Sequence, residues 1–148
     1  MRNVTPRNEG FTLVEGVAVL TLVAILTLVL ASFAFDTTAR VTGETAILSS
    51  HVRFVQALAM SINTATWSLS IGDGSYAMLR NGVTSPVNLP GENSATHTLP
   101  EGLRVVAGAG VLSFDEWGSP GGATRVITIS NGEEARSVTV TRNTGFVP

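Results

Sequence analysis

The chain has 148 residues, room for one compact domain and one further long element. Its formal charge of −2 at pH 7 creates no global field that would gather nucleic acid or anionic lipid. Cysteine is absent, which excludes a thiol nucleophile, a cysteine-ligated metal, a lipoprotein anchor and a disulfide framework, so burial and hydrogen bonding must hold any folded part together.

The first element is apolar. Gly16 to Phe35 carries no charge, and about 20 residues at ~1.5 Å rise reach ~30 Å, the thickness of a bilayer's hydrocarbon core. Three readings of such a run compete. A cleaved secretory signal has a shorter apolar core, about 7–15 residues, although Ser32-Phe33-Ala34 offers it a small-residue cleavage site. A plain signal anchor is the second. The third depends on the residues that come before.

Those are Arg2, Arg7, Glu9 and Gly10, followed by Phe11-Thr12-Leu13-Val14-Glu15. The stretch Gly10 to Glu15 resembles the cleavage and methylation motif of type IV prepilins and of type II secretion pseudopilins. The resemblance implies that residues 1–10 are a leader, that a membrane aspartyl peptidase (the prepilin peptidase) cuts after Gly10, and that Phe11 becomes the N-methylated first residue. Glu15 then matches the acidic residue by which a neighbouring subunit's amine sets register in a filament. Physical chemistry supports a special role there. A carboxylate at mid-membrane costs roughly 2.5–3.5 kcal/mol, whereas the first helical turn and the amine of Phe11 both favour an anion. Arg2 and Arg7 favour a cytoplasmic N-terminus, which places everything after Asp36 outside the inner membrane. The sequence departs from many pilins in having no proline within the apolar run, so a helix without a proline kink is expected over residues 11–35.

From Thr37 to about Asn63 the helical period persists in amphipathic form. Val41, Leu48, Val52, Val55, Leu58 and Ile62 mark one face, and Arg40, Glu44, Ser50, Arg53 and Gln56 occupy others. Either one helix runs through, or a second begins after a break near Gly43, the one weak spot.

Beyond Asn63 the period shortens to two. Thr66–Ile71 alternates, Gly72-Asp73-Gly74-Ser75 turns, and Tyr76–Arg80 returns, which is a hairpin signature. Ser85–Pro100 reads as loop with one short edge strand. Leu103–Ala107 and Val111–Phe114 are short strands around Gly108-Ala109-Gly110. Arg125–Ser130 and Ser137–Thr141 flank a tight Asn131-Gly132 turn, and Gly145–Val147 is a candidate last edge segment. Trp67, Phe114, Ile127, Ile129 and Val138 are the expected core. The run from Phe114 through Gly118 and Pro120, the two alternating segments and Gly145 resemble the GspH/FimT head, a minor-pilin type.

Catalytic and metal chemistry finds no footing. His51 and His97 lack ligand partners at useful spacing and read as packed or solvated side chains. Asp73 lacks the repeated acids of a calcium loop, Gly118–Gly122 lacks the lysine of a phosphate loop, and Asp115-Glu116 has no accompanying base. No enzyme, metal or cofactor is expected.

The expected fold class is therefore α+β, with a long N-terminal α-helix, membrane-spanning in its first half (residues 11–35) and amphipathic in its second (36–64). That helix packs on a small antiparallel β-sheet or sandwich head, residues 65–148. By resemblance, the function is that of a minor subunit of a type II secretion pseudopilus or a type IV pilus. Its partners are then prepilin peptidase, other pilin subunits, an inner-membrane assembly platform and membrane lipid before assembly. The alternative is a FimT-like minor pilin that binds DNA or a surface ligand. Arg136 and Arg142 are its candidate contacts, but a few arginines among several carboxylates make nucleic acid the less favoured partner.

Overall fold

A computed structural model describes residues 12–62 and 64–148. The chain divides into two units, one ending at Asp36 and the other spanning Thr37–Pro148.

One helix, α1 (Leu13–Ser61), carries both halves of the expected helical stretch and runs through Gly43 without a break. Thr12 caps its start, because the Glu15 N–H donates to Thr12 Oγ1 at 3.3 Å and to the Thr12 carbonyl at 3.0 Å. In the first unit every large aliphatic side chain from Leu13 to Leu30 is exposed. The Leu13–Leu30 window has a mean hydropathy of 2.6 and is long and apolar enough to cross a membrane. Its hydroxyls are satisfied internally, with Thr21 Oγ1 donating to the Val17 carbonyl at 2.8 Å and Thr27 Oγ1 to the Ala24 carbonyl at 2.9 Å. A threonine inside hydrocarbon needs that back-bonding, since no water is available there.

In the second unit the helix turns amphipathic. Val41, Leu48, Val52 and Val55 are fully buried, Ala59 is nearly so, and Leu58 and Ile62 pack at the margin of the core. Steps of three, four and seven keep these side chains on one stripe, and each fully buried Val or Leu contributes about 1.5–3 kcal/mol.

Among the described residues eight strands follow. β1 (Trp67–Ile71) and β2 (Ser75–Arg80) form the expected hairpin, in register from Trp67↔Arg80 to Ile71↔Tyr76. The outer edge of β2 is shared by β3 (Val83–Thr84) and β4 (Thr96–Thr98), while β6 (Gly110–Phe114) pairs with the other edge of β1. These make one five-stranded sheet. β5 (Arg104–Ala107), β7 (Arg125–Ser130) and β8 (Ala135–Val140) form a second sheet of three strands in the order β5-β7-β8. Although β5 and β6 are adjacent in sequence, they belong to different sheets. The switch occurs at Gly108, whose φ of +81° suits glycine. A Cβ there would collide with the Val126 carbonyl and Ile127 Cα, so only glycine lets the crossing chain approach β7 this closely. Gly145–Val147 adds no strand. Instead the Thr141 N–H donates to the Phe146 carbonyl at 2.9 Å, closing a turn that buries Val147.

One core joins the helix stripe to both sheets, through Trp67, Leu69, Tyr76, Met78 and Phe114 of the first and Val105, Ile127, Ile129, Val138 and Val140 of the second. All of it lies in Thr37–Pro148, so this unit carries a complete core of its own.

Candidate functional site

The expected processing site falls at the start of the chain. Gly10 and Phe11, with the rest of the 1–10 leader, lie outside the described residues. Glu15 is described. It is an exposed carboxylate in the first turn of α1, three residues after its Thr12 cap, and Leu13, Val14 and Val17 around it are exposed aliphatics. Thr12-x-x-Glu15 is the spacing of a capping box, in which a glutamate at this position favours the helix start. That gives Glu15 a local role in addition to any role between subunits. The capping-box spacing was legible in the sequence and was missed there.

Arg136 and Arg142, the candidate ligand contacts, are not brought together. Arg136 is the second residue of β8 and Arg142 follows its far end, about 20 Å apart at the rise of a strand. Arg136 lies near Arg53 of α1 on a groove of ≈ 380 Å³ between the helix and β8. Arg142 is exposed in a turn, where its backbone N–H donates to Thr124 Oγ1 at 3.3 Å. No continuous basic stripe results.

The two histidines are packed, as expected, but they are packed together. His51 of α1 and His97 of β4 lie 5.7 Å apart by ring centroid, and Tyr76 stacks on His97 at 4.9 Å. His51 Nε2 is 2.9 Å from the Pro90 carbonyl, which can only accept, so Nε2 carries the proton. Nδ1 is then the acceptor, and the Tyr76 hydroxyl donates to it at 2.8 Å. His97 has a carboxylate at each ring nitrogen, Glu92 at 2.5 Å from Nδ1 and Glu44 at 2.9 Å from Nε2. A ring donating through both nitrogens serves both acids. The cluster fastens the loop between β3 and β4 to α1. Among the described residues no group of three or more histidines and acids is placed to hold a metal ion, and each histidine ring nitrogen has a protein partner.

Burial first, then the charges of Glu44 and Glu92, hold the Tyr76 phenol protonated far above its ordinary range. A raised folded pKa contributes stability that is complete below the unfolded value, about pH 10, and is lost as pH climbs beyond it. Tyr76 is the one tyrosine of the chain, so its phenolate absorbance reports this group alone. We expect no phenolate band at about pH 11 while the fold persists, and its appearance in step with loss of the tryptophan signal. A phenolate that titrates near 10 in a folded protein would contradict this packing.

No family model and no curated protein matches this chain. Among solved structures, the type IV minor pilin FimU of Pseudomonas aeruginosa PAO1 matches in two crystal forms. The first gives a TM-score of 0.55 at 14% identity over 77% of this chain and 90% of FimU. The second gives 0.52 at 14% identity over 72% and 90%. The fold is type IV pilin-like and α+β, with an apolar N-terminal helical segment and an antiparallel head.

Proposed function

We propose that this chain, on its type IV pilin-like fold, is a minor filament subunit made to leave the membrane and polymerise. It inserts with Arg2 and Arg7 in the cytoplasm. Prepilin peptidase cuts after Gly10 and methylates Phe11, and residues 11–35 wait in the inner membrane while the 65–148 head stands outside. An inner-membrane assembly platform then transfers the helix from lipid to a bundle of neighbouring pilin helices, in a type II secretion pseudopilus or a type IV pilus.

The observation that carries this reading is the all-round exposure of aliphatic side chains from Leu13 to Leu30, with a single carboxylate, Glu15, in its first turn. A helix apolar on every side is solvated by lipid or by other apolar helices. The carboxylate becomes favourable when a neighbour's terminal amine meets it. DNA binding is the weaker reading, because Arg136 and Arg142 stand at opposite ends of β8, with Glu133 and Glu134 just before that strand.

The test is the intact mass of the protein recovered from membranes. We expect the mass of residues 11–148 plus one methyl group. An unprocessed Met1, or cleavage near Ala34, would refute the proposal.

A further inference from the structure

The head holds two conspicuous aromatic side chains in solvent, Trp117 at 78% and Phe146 at 62% exposure. Neither sits on a loose loop. Asp115 Oδ1 accepts from the Trp117 N–H at 3.0 Å and the Ser119 N–H at 2.7 Å, and the Asp115 N–H donates to the Ser119 carbonyl at 3.0 Å. Phe146 closes the turn from Thr141. The two turns meet on one helix residue, where Gln56 Nε2 donates to the Gly118 carbonyl at 2.8 Å and the Thr144 carbonyl at 3.3 Å. Gly145 lies so close to the Gly118 carbonyl that a Cβ has no room, at a φ of +63°. Met60, one turn beyond Gln56, lies against Gly118 and is 52% exposed.

Exposed aromatics and a methionine on a rigid base are the composition of an interface core, not of a solvated surface. Their rim is acidic, with Asp115 and Glu116 both exposed. Anionic lipid and nucleic acid are therefore poor occupants. The complementary surface is a partly apolar recess flanked by arginine, and this same chain has one. It is the groove of ≈ 380 Å³ between α1 and β8, where Ala46, Val138 and Pro148 lie among serines and threonines beside Arg53 and Arg136. Arg53 donates to the Val147 carbonyl at 2.9 Å. Among the described residues neither the Arg136 nor the Glu116 side chain has a hydrogen-bond or ion-pair partner.

We propose that the Trp117–Phe146–Met60 knob docks into the α1–β8 groove of a second copy of this chain, with Glu116 opposite Arg136. The two surfaces differ, so the contact is heterologous and sets the knob of one copy against the groove of another. Between neighbours with parallel helices, the offset between residues 46–53 and 56–60 of α1 produces an axial stagger on the order of 13 Å. The setting rests on the assembly reading above, but the contact is separable from it.

The experiment places a benzophenone amino acid at position 117 of the full chain in membranes, keeping an aromatic side chain at the knob. Illumination is expected to give a two-copy adduct that maps to residues 42–53 or 136–139. Glu116→Arg lowers the adduct about ten-fold, and Glu116→Arg with Arg136→Glu restores it. Absence of a two-copy adduct, a 117-to-117 linkage, adducts to lipid alone, or failure of the charge swap to restore the yield would each overturn the proposal. A processed N-terminus without the adduct removes only this contact. The adduct on an unprocessed chain removes the filament reading and leaves the contact standing.

Discussion

Replacing Glu15 with glutamine is expected to lower the polymerised fraction roughly ten-fold or more, while the amount inserted in the membrane stays unchanged. The choice of glutamine matters. Glu15 sits three residues after the Thr12 cap, and its N–H donates to Thr12 Oγ1 at 3.3 Å. Glutamine at that place preserves capping-box chemistry and removes only the charge. A carboxylate paired with a neighbour's amine in an apolar bundle loses about 3 kcal/mol or more when its charge goes, because the amine is left uncompensated. Loss of the cap alone costs about 1 kcal/mol and acts on the monomer helix. Quantifying sheared polymer against membrane-held monomer separates the two. If alanine blocks polymerisation and glutamine does not, Glu15 acts by capping. If neither does, no pairing between subunits depends on it.

The second large effect is expected in the head. His97→Leu removes the donor that Glu44 and Glu92 share, with Glu44 only 13% exposed at its side chain. A near-buried carboxylate without a donor costs about 3 kcal/mol, which for a domain of this size lowers Tm by roughly 10–20 °C. Adding Glu44→Leu recovers most of the loss, since Glu92 is 33% exposed and can be hydrated. Urea unfolding of residues 37–148, followed by tryptophan fluorescence, measures both steps. The polar cluster is not the clamp described here if His97→Leu stays within about 1 kcal/mol of the parent, or if the double variant is no more stable than the single.

Much of the local architecture was open to reading. The stripe Val41, Leu48, Val52, Val55 is a period of 3.6 that survives in any context, and Thr66–Arg80 is a period of two around a glycine turn. Both patterns are properties of neighbours in the chain. The β3 strand was missed because two exposed residues, Val83 and Thr84, carry no alternation to detect. The closing Gly145–Val147 segment read as an edge strand because of its composition. The turn back to Thr141 captured it instead, and Val147 found burial without a partner strand.

Patterns local to the chain are enough to establish an uncharged run long enough for a bilayer, one acid at its start, an amphipathic continuation and a strand-rich remainder without cysteine. These follow from periodicity, length and the cost of charge in lipid, which need no knowledge of distant contacts. The parting of β5 and β6 at Gly108 is set by long-range packing. That packing also gathered His51, Tyr76, His97, Glu44 and Glu92 into one cluster and tied the turns that carry Trp117 and Phe146 to Gln56. Most of those meetings join residues tens of positions apart. Close packing of a particular core selects them, and no local pattern encodes which side chains it will press together.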